Sequence, residues 1–130
     1  MSTFVSVVFA IILFSLLIFV HELGHFLTAK AFKVRVNEFA MFMGPAIFKK
    51  QIGETLYSIR CIPMGGYCAM EGEDEDTDDP RSFQKAKWWK RLIILVAGAG
   101  MNFIIGILLF AIVFIPVKQV GTPVIMEFSD

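Results

Sequence analysis

The sequence predicts an α-helical membrane protein, two transmembrane helices joined by a cytoplasmic segment that carries a membrane-associated β-hairpin. Three observations lead there. Residues 1–20 contain no ionisable side chain, and residues 92–117 form a second uncharged run of 26 residues. Eleven of the twelve Lys and Arg fall between Lys30 and Arg91, in the stretch joining the two runs. Finally, 56% of the 130 residues are hydrophobic, with fourteen Phe and seven Met, which is more apolar material than a soluble domain of this size needs.

The first helix is expected over residues 1–31. An apolar stretch of that length crosses a hydrocarbon core of about 30 Å with some to spare. A cleaved signal peptide fits less well, because no Lys or Arg precedes Lys30 to make a basic n-region. At the end of this stretch stand the only two histidines of the chain, in His21-Glu22-Leu23-Gly24-His25. Four residues apart on a helix, two imidazoles share one face and can ligate one ion. Zinc takes imidazole nitrogen readily, and its catalytic sites keep one position for water. Glu22, beside the first ligand, is placed to take a proton from that water, which is the chemistry of the HExxH metalloprotease motif. The plainer reading is a histidine pair packed in a helical bundle with Glu22 as its ionic partner. Ionisable groups at membrane depth are costly and mark function, which favours the metal.

Residues 32–72 read as a β-rich, membrane-reentrant segment. Gly44-Pro45 argues against a helix there, so residues 34–45 are expected to be a short strand or extended loop. Residues 56–62 mix polar residues with β-formers, and Gly65-Gly66 is a turn signal ahead of Tyr67-Cys68-Ala69-Met70, so a hairpin is expected about Gly65-Gly66. Ile62, Met64, Tyr67 and Met70 would rest on the membrane or the helices, and non-helical backbone at that depth must be buried in protein or line a wet cavity. A surface hairpin without a role is the alternative.

Residues 73–91 combine an acidic loop with a basic, tryptophan-containing interfacial stretch. Seven of the nine residues from Glu71 to Asp79 are acidic, a pattern of a solvated, flexible loop without calcium-loop spacing. Lys85, Lys87, Lys90 and Arg91 flank Trp88-Trp89, which suits the lipid headgroup region and, beside a span, excludes nucleic acid as the partner. Residues 92–117 form the second transmembrane helix. Its Ala97-Gly98-Ala99-Gly100 stripe allows close helix packing, and Asn102 needs a hydrogen-bonding partner. Residues 118–130 begin an extracytoplasmic region in which residues 124–128 could start a strand. Cys61 and Cys68 lack zinc-finger spacing and are read as reduced small hydrophobes. By the positive-inside tendency, residues 30–91 are cytoplasmic and both termini extracytoplasmic, in a multi-pass protein of the cell (inner) membrane.

Taken together, these residues resemble the site-2 proteases, the intramembrane zinc metalloproteases of the bacterial RseP type, over almost the whole chain. His21-Glu22-Leu23-Gly24-His25 with Phe26 resembles the first-helix motif of that family, and the resemblance implies Zn2+ held by His21 and His25 with Glu22 as general base. Glu38-Phe39 through Gly44-Pro45 resembles its glycine-containing segment. Met64-Gly65-Gly66-Tyr67 with Met70-Glu71-Gly72-Glu73 resembles its reentrant hairpin, which implies that Gly65, Gly66 and Tyr67 bind substrate along an edge strand. Ala97-Gly98 with Asn102-Phe103 resembles its second-helix signature, with Ala99 where Pro is usual. The implied substrates are transmembrane segments of membrane proteins, of the anti-sigma factor or remnant signal peptide type. The family's third zinc ligand, an Asp in a Leu-Asp-Gly motif, has no counterpart in the 130 residues. The chain therefore reads as an N-terminal portion ending before a PDZ domain, inactive alone. A non-catalytic metal-binding membrane protein, whether a pseudoprotease or a helper subunit, is the alternative, and a proton-relay transporter a more remote one.

Overall fold

The computed structural model describes residues 2–115, in the order α1 (Thr3–Ala31), β1 (Val36–Ile52), β2 (Thr55–Met70) and α2 (Trp88–Phe114). The region expected over residues 118–130 lies outside the described residues. Helix α1 is about 43 Å long at 1.5 Å per residue. Ser2 caps its start by accepting from the Val5 N–H at 3.4 Å. It ends in a Schellman arrangement, with Lys33 N–H donating to Lys30 O at 3.1 Å and Val34 N–H to Ala29 O at 2.9 Å. That motif puts Lys33 at φ 62°, a left-handed position where glycine is usual.

Helix α2 begins at Trp88, four residues before the uncharged run that announced it. Charge counting marks only the ends of the uncharged run, whereas Trp, Lys and Arg are helix-compatible residues that carry the helix beyond it. It ends at Phe114; Ile115 keeps α-region angles and donates its N–H to Ala111 O at 3.0 Å, and Pro116, next in sequence, has no N–H with which to continue the ladder.

The β-region differs from the expectation in one respect. The turn lies at Gly53-Glu54, and Gly65-Gly66 falls inside β2. Gly53 has φ 61° at the first position of a two-residue loop, as a type II′ hairpin turn asks. From there β1 and β2 run as one long antiparallel pair, from Ile52 opposite Thr55 to Val36 opposite Met70. Bulges near its middle bend this ribbon back on itself, with left-handed φ at Phe42 (71°), Gly44 (83°) and Gly65 (79°). As a result Glu38, Phe39, Ala40 and Met41 gain second partners in Leu56, Tyr57, Ser58 and Ile59. Residues 36–41 thus become an interior strand, and residues 66–70 have a strand partner on one side only among the described residues.

A polar cluster holds the bend. Glu38 Oε1 accepts from Ser58 Oγ at 2.6 Å and from Arg60 Nη2 at 2.7 Å, while Arg60 Nη1 donates to Gly44 O at 2.7 Å. At Gly66 a Cβ would come within 2.9 Å of Ala40 O, so the backbones there approach more closely than any larger residue allows.

The core gathers where the C-terminal half of α1, the sheet and the start of α2 meet. Ala29, Val34, Val36, Phe39, Cys68, Met70 and Ile94 are buried together. The acidic loop is tied to this junction rather than free. Glu71 N–H donates to Arg35 O, Arg35 N–H to Arg81 O, and Phe83 N–H to Glu71 O. Arg35 also pairs with Asp79 at 3.1 Å. Glu73, Asp74, Glu75, Asp76 and Asp78 are exposed, as composition reads them, whereas Glu71 and Asp79 are held by Asn37 and Arg35 from another part of the chain.

Candidate metal centre

His21 and His25 sit on α1 one turn apart, their ring centroids separated by 4.8 Å and nearly perpendicular at 79°. One donor atom each from His21, Glu22 and His25 lies within 4.8 Å of the others, all three residues being half-buried. Among the described residues this is the group of His, Cys, Asp and Glu side chains able to share a metal ion.

The surroundings decide how the rings present themselves. His25 Nδ1 lies 2.7 Å from Ile94 O of α2; with the proton on Nδ1, that bond turns the Nε2 lone pair outward as a ligand. Both Nε2 atoms converge on Gly98, where an added Cβ would stand 2.6 Å from His21 Nε2 and 2.7 Å from His25 Nε2. Next to His25, a Cβ on Gly24 would clash with Ala97 O. The small residues of the α1–α2 crossing therefore bring the backbones together and leave the cradle in which the imidazoles meet. Two convergent imidazole nitrogens, a fixed tautomer and a neighbouring carboxylate fit zinc.

Glu22 points to the sheet. Its Oε2 accepts the Cys68 N–H at 3.1 Å. Cys68 lies in residues 66–70, which have a strand partner on one side only among the described residues, and its amide holds the carboxylate next to the metal ligands. Gly65, Gly66 and Tyr67 immediately precede it on β2. The Arg60 guanidinium stacks on the Tyr67 ring at 5.3 Å. A further contact fixes the depth of the sheet: Ser15 Oγ donates to Pro63 O at 2.9 Å. Ser15 lies about 9 Å before His21 along the helix, so the bent ribbon passes the histidines and reaches further along α1.

Residues 9–129 match the model of peptidase family M50. The chain belongs to peptidase family M50. This M50 chain is 47% identical over 111 residues, 85% of its length, to a Clostridium acetobutylicum protein named "Putative zinc metalloprotease", of which the match covers 33%. Proteins with the same description from Clostridium perfringens (43% identical, 80% of this chain, 31% of the relative) and Fusobacterium nucleatum (43%, 86% and 32%) match similarly. The chain thus spans about a third of the length of these curated relatives. The family agrees with the resemblance drawn from the motifs, and the relatives' names agree with a zinc-dependent protease.

Four features of the site escape sequence reading. Gly98 is recognisable as a small packing residue but not as the floor beneath the imidazoles. The Ile94 carbonyl and the Cys68 amide are backbone groups that no side-chain pattern announces. Glu73, from the acidic run, accepts from Met70 N–H at 3.4 Å. Partial desolvation of its carboxyl, the largest cause, raises its pKa above the usual carboxylate value.

Proposed function

We propose that this M50 chain provides the zinc-binding helix and the substrate-facing sheet edge of an intramembrane endopeptidase. The observation that carries the reading is the Glu22 to Cys68 hydrogen bond, which joins the HExxH helix to a one-sided strand. His21 and His25 hold the metal through Nε2, and the resemblance supplies the remaining ligand from an Asp outside the 130 residues. A zinc ion held there would supply Lewis acidity toward a scissile carbonyl and a bound water. Glu22 takes the proton of the attacking water and delivers it to the departing amine.

A substrate transmembrane segment must first unwind, because a helical amide is hydrogen-bonded and hidden from attack. Pairing in extended form along residues 66–70 fixes its backbone beside Glu22, with Gly65, Gly66 and Tyr67 on the strand that receives it. Membrane placement is supported by two helices long and apolar enough to cross a bilayer. Residues 30–91 then face the cytoplasm and the N-terminus the opposite side, in a multi-pass protein of the cell membrane. Anti-sigma factors and remnant signal peptides remain the substrate classes that the resemblance offers.

The test is Glu22→Gln in the full-length protein. Zinc content stays at the wild-type level while cleavage of a transmembrane reporter falls by a factor of a thousand or more. Near-normal cleavage would remove Glu22 from the mechanism. A wild-type protein that binds zinc and cleaves nothing would instead favour the non-catalytic reading, which the two-histidine ligand set within these residues keeps open.

A further inference from the structure

At the other end of the helix pair, a cavity of about 260 Å³ lies between the end of α1, the close of the acidic loop and the start of α2. Lys33, Arg81, Lys85, Lys87 and Lys90 line it, and no carboxylate does. That segregation is unexpected, because seven acidic residues stand just upstream in the same connection. Glu54 neutralises Arg81 by accepting from both terminal guanidinium nitrogens, Nη1 and Nη2, at 2.6 and 2.8 Å. Lys90 rests against the rings of Phe32 and Trp89. Lys33, Lys85 and Lys87 have no ionic partner among the described residues.

Two further observations point to an anion. Lys87 is the N-cap of α2 and makes no side-chain capping bond, and the first turn contains no acid, so the positive end of a 27-residue helix is left uncompensated. Ser82 lines the cavity, is 1% exposed, and has a hydroxyl with no hydrogen-bonding partner. Next to the cavity Trp88 is 70% exposed, as an indole at a lipid boundary is.

We propose that this cavity binds the phosphate of an anionic phospholipid headgroup. It has room for a phosphate group and several waters, at about 30 Å³ per water. Its position at the adjoining ends of two apolar helices commits it to a lipid rather than to a soluble phosphate. The lysines neutralise the headgroup, the amides at the start of α2 supply donors, and the acyl chains lie along the helix surfaces. The inference rests on the membrane placement above and is independent of zinc and of catalysis.

Native mass spectrometry of the full-length protein, released from detergent with equal amounts of phosphatidylglycerol and phosphatidylcholine of the same acyl chains, tests it. Each basic residue near a lipid surface is worth about 1 kcal/mol, or roughly fivefold. Phosphatidylglycerol is therefore expected to be retained in at least fivefold excess, falling to near parity in the Lys33→Gln/Lys85→Gln/Lys87→Gln protein. All three lysines are exposed, so the variant keeps its fold, which circular dichroism checks. Lys49→Gln/Lys50→Gln, on the exposed part of the hairpin, controls for charge alone and leaves the preference intact. Equal retention of the two lipids by the wild type overturns the proposal, as does an excess that survives the triple substitution. A preference abolished by inorganic phosphate, and not by chloride of the same ionic strength, assigns the cavity to a soluble phosphate and also overturns it. A protein that stays dispersed without detergent and retains neither lipid would refute the membrane placement itself.

Discussion

Gly98 shows how much of this site depends on one missing methyl group. Heavy atoms closer than about 3 Å to a Cβ must move, and both imidazole Nε2 atoms lie inside that limit. Gly98→Ala is expected to push the rings apart and weaken zinc binding about 10- to 100-fold, the range seen when groups supporting metal ligands are lost. Gly100→Ala is the matched control. A Cβ there meets nothing within 4 Å, and alanine favours the helix over glycine by about 1 kcal/mol, so zinc affinity stays unchanged. Competition against a zinc chelator dye measures both, and equal affinities in the two variants would remove Gly98 from the site. At this scale His21, Glu22 and His25 were legible because i, i+4 spacing is a local property. Gly98, Ile94 and Cys68 were not, since their roles arise only when two helices cross and a strand passes alongside.

The hairpin was legible as a β-element but not in its register. Gly65-Gly66 carries the stronger turn signal, while the actual loop at Gly53-Glu54 is a single glycine next to a polar residue, which local chemistry does not single out. What places it is the pairing of 17 residues of β1 with 16 of β2, a long-range outcome. The loop is then fastened, since Glu54 takes Lys30 of α1 at 3.0 Å and Arg81 of the acidic loop at 2.6 Å. Arg81 first and Lys30 next pull the Glu54 pKa down from 4.5 to about 2. A lowered carboxylate pKa stabilises the fold fully above about 4.5, and the contribution is lost as pH falls toward about 2. Thermal unfolding in detergent should therefore show the wild type losing its advantage over Glu54→Gln across that interval. Above it the advantage is about 1 kcal/mol or less, because the ion pairs are partly exposed and screened. Coincident stability curves for the two proteins would show that the clamp contributes nothing.

For the whole molecule, the exposed apolar surface sets the frame. Phe4 is 76% exposed, Phe103 71% and Ile112 67%, on helices whose outer faces are apolar almost throughout. Such a surface far exceeds the patches that soluble monomers tolerate. The two long apolar helices were readable from uncharged length alone, and the metal motif from its spacing. Their relation was not: sequence does not say that the sheet bends back, passes the histidines as far as Ser15, and sets an edge amide against Glu22. The joining of metal helix and strand is the central claim, and its foundation is zinc at His21 and His25. Zinc K-edge absorption spectroscopy on the purified full-length protein tests this most directly. The account predicts two imidazole nitrogens at about 2.0–2.1 Å with oxygen completing the shell, and loss of that signature in both His21→Ala and His25→Ala. A protein without zinc, or a zinc shell unchanged by either substitution, would contradict it.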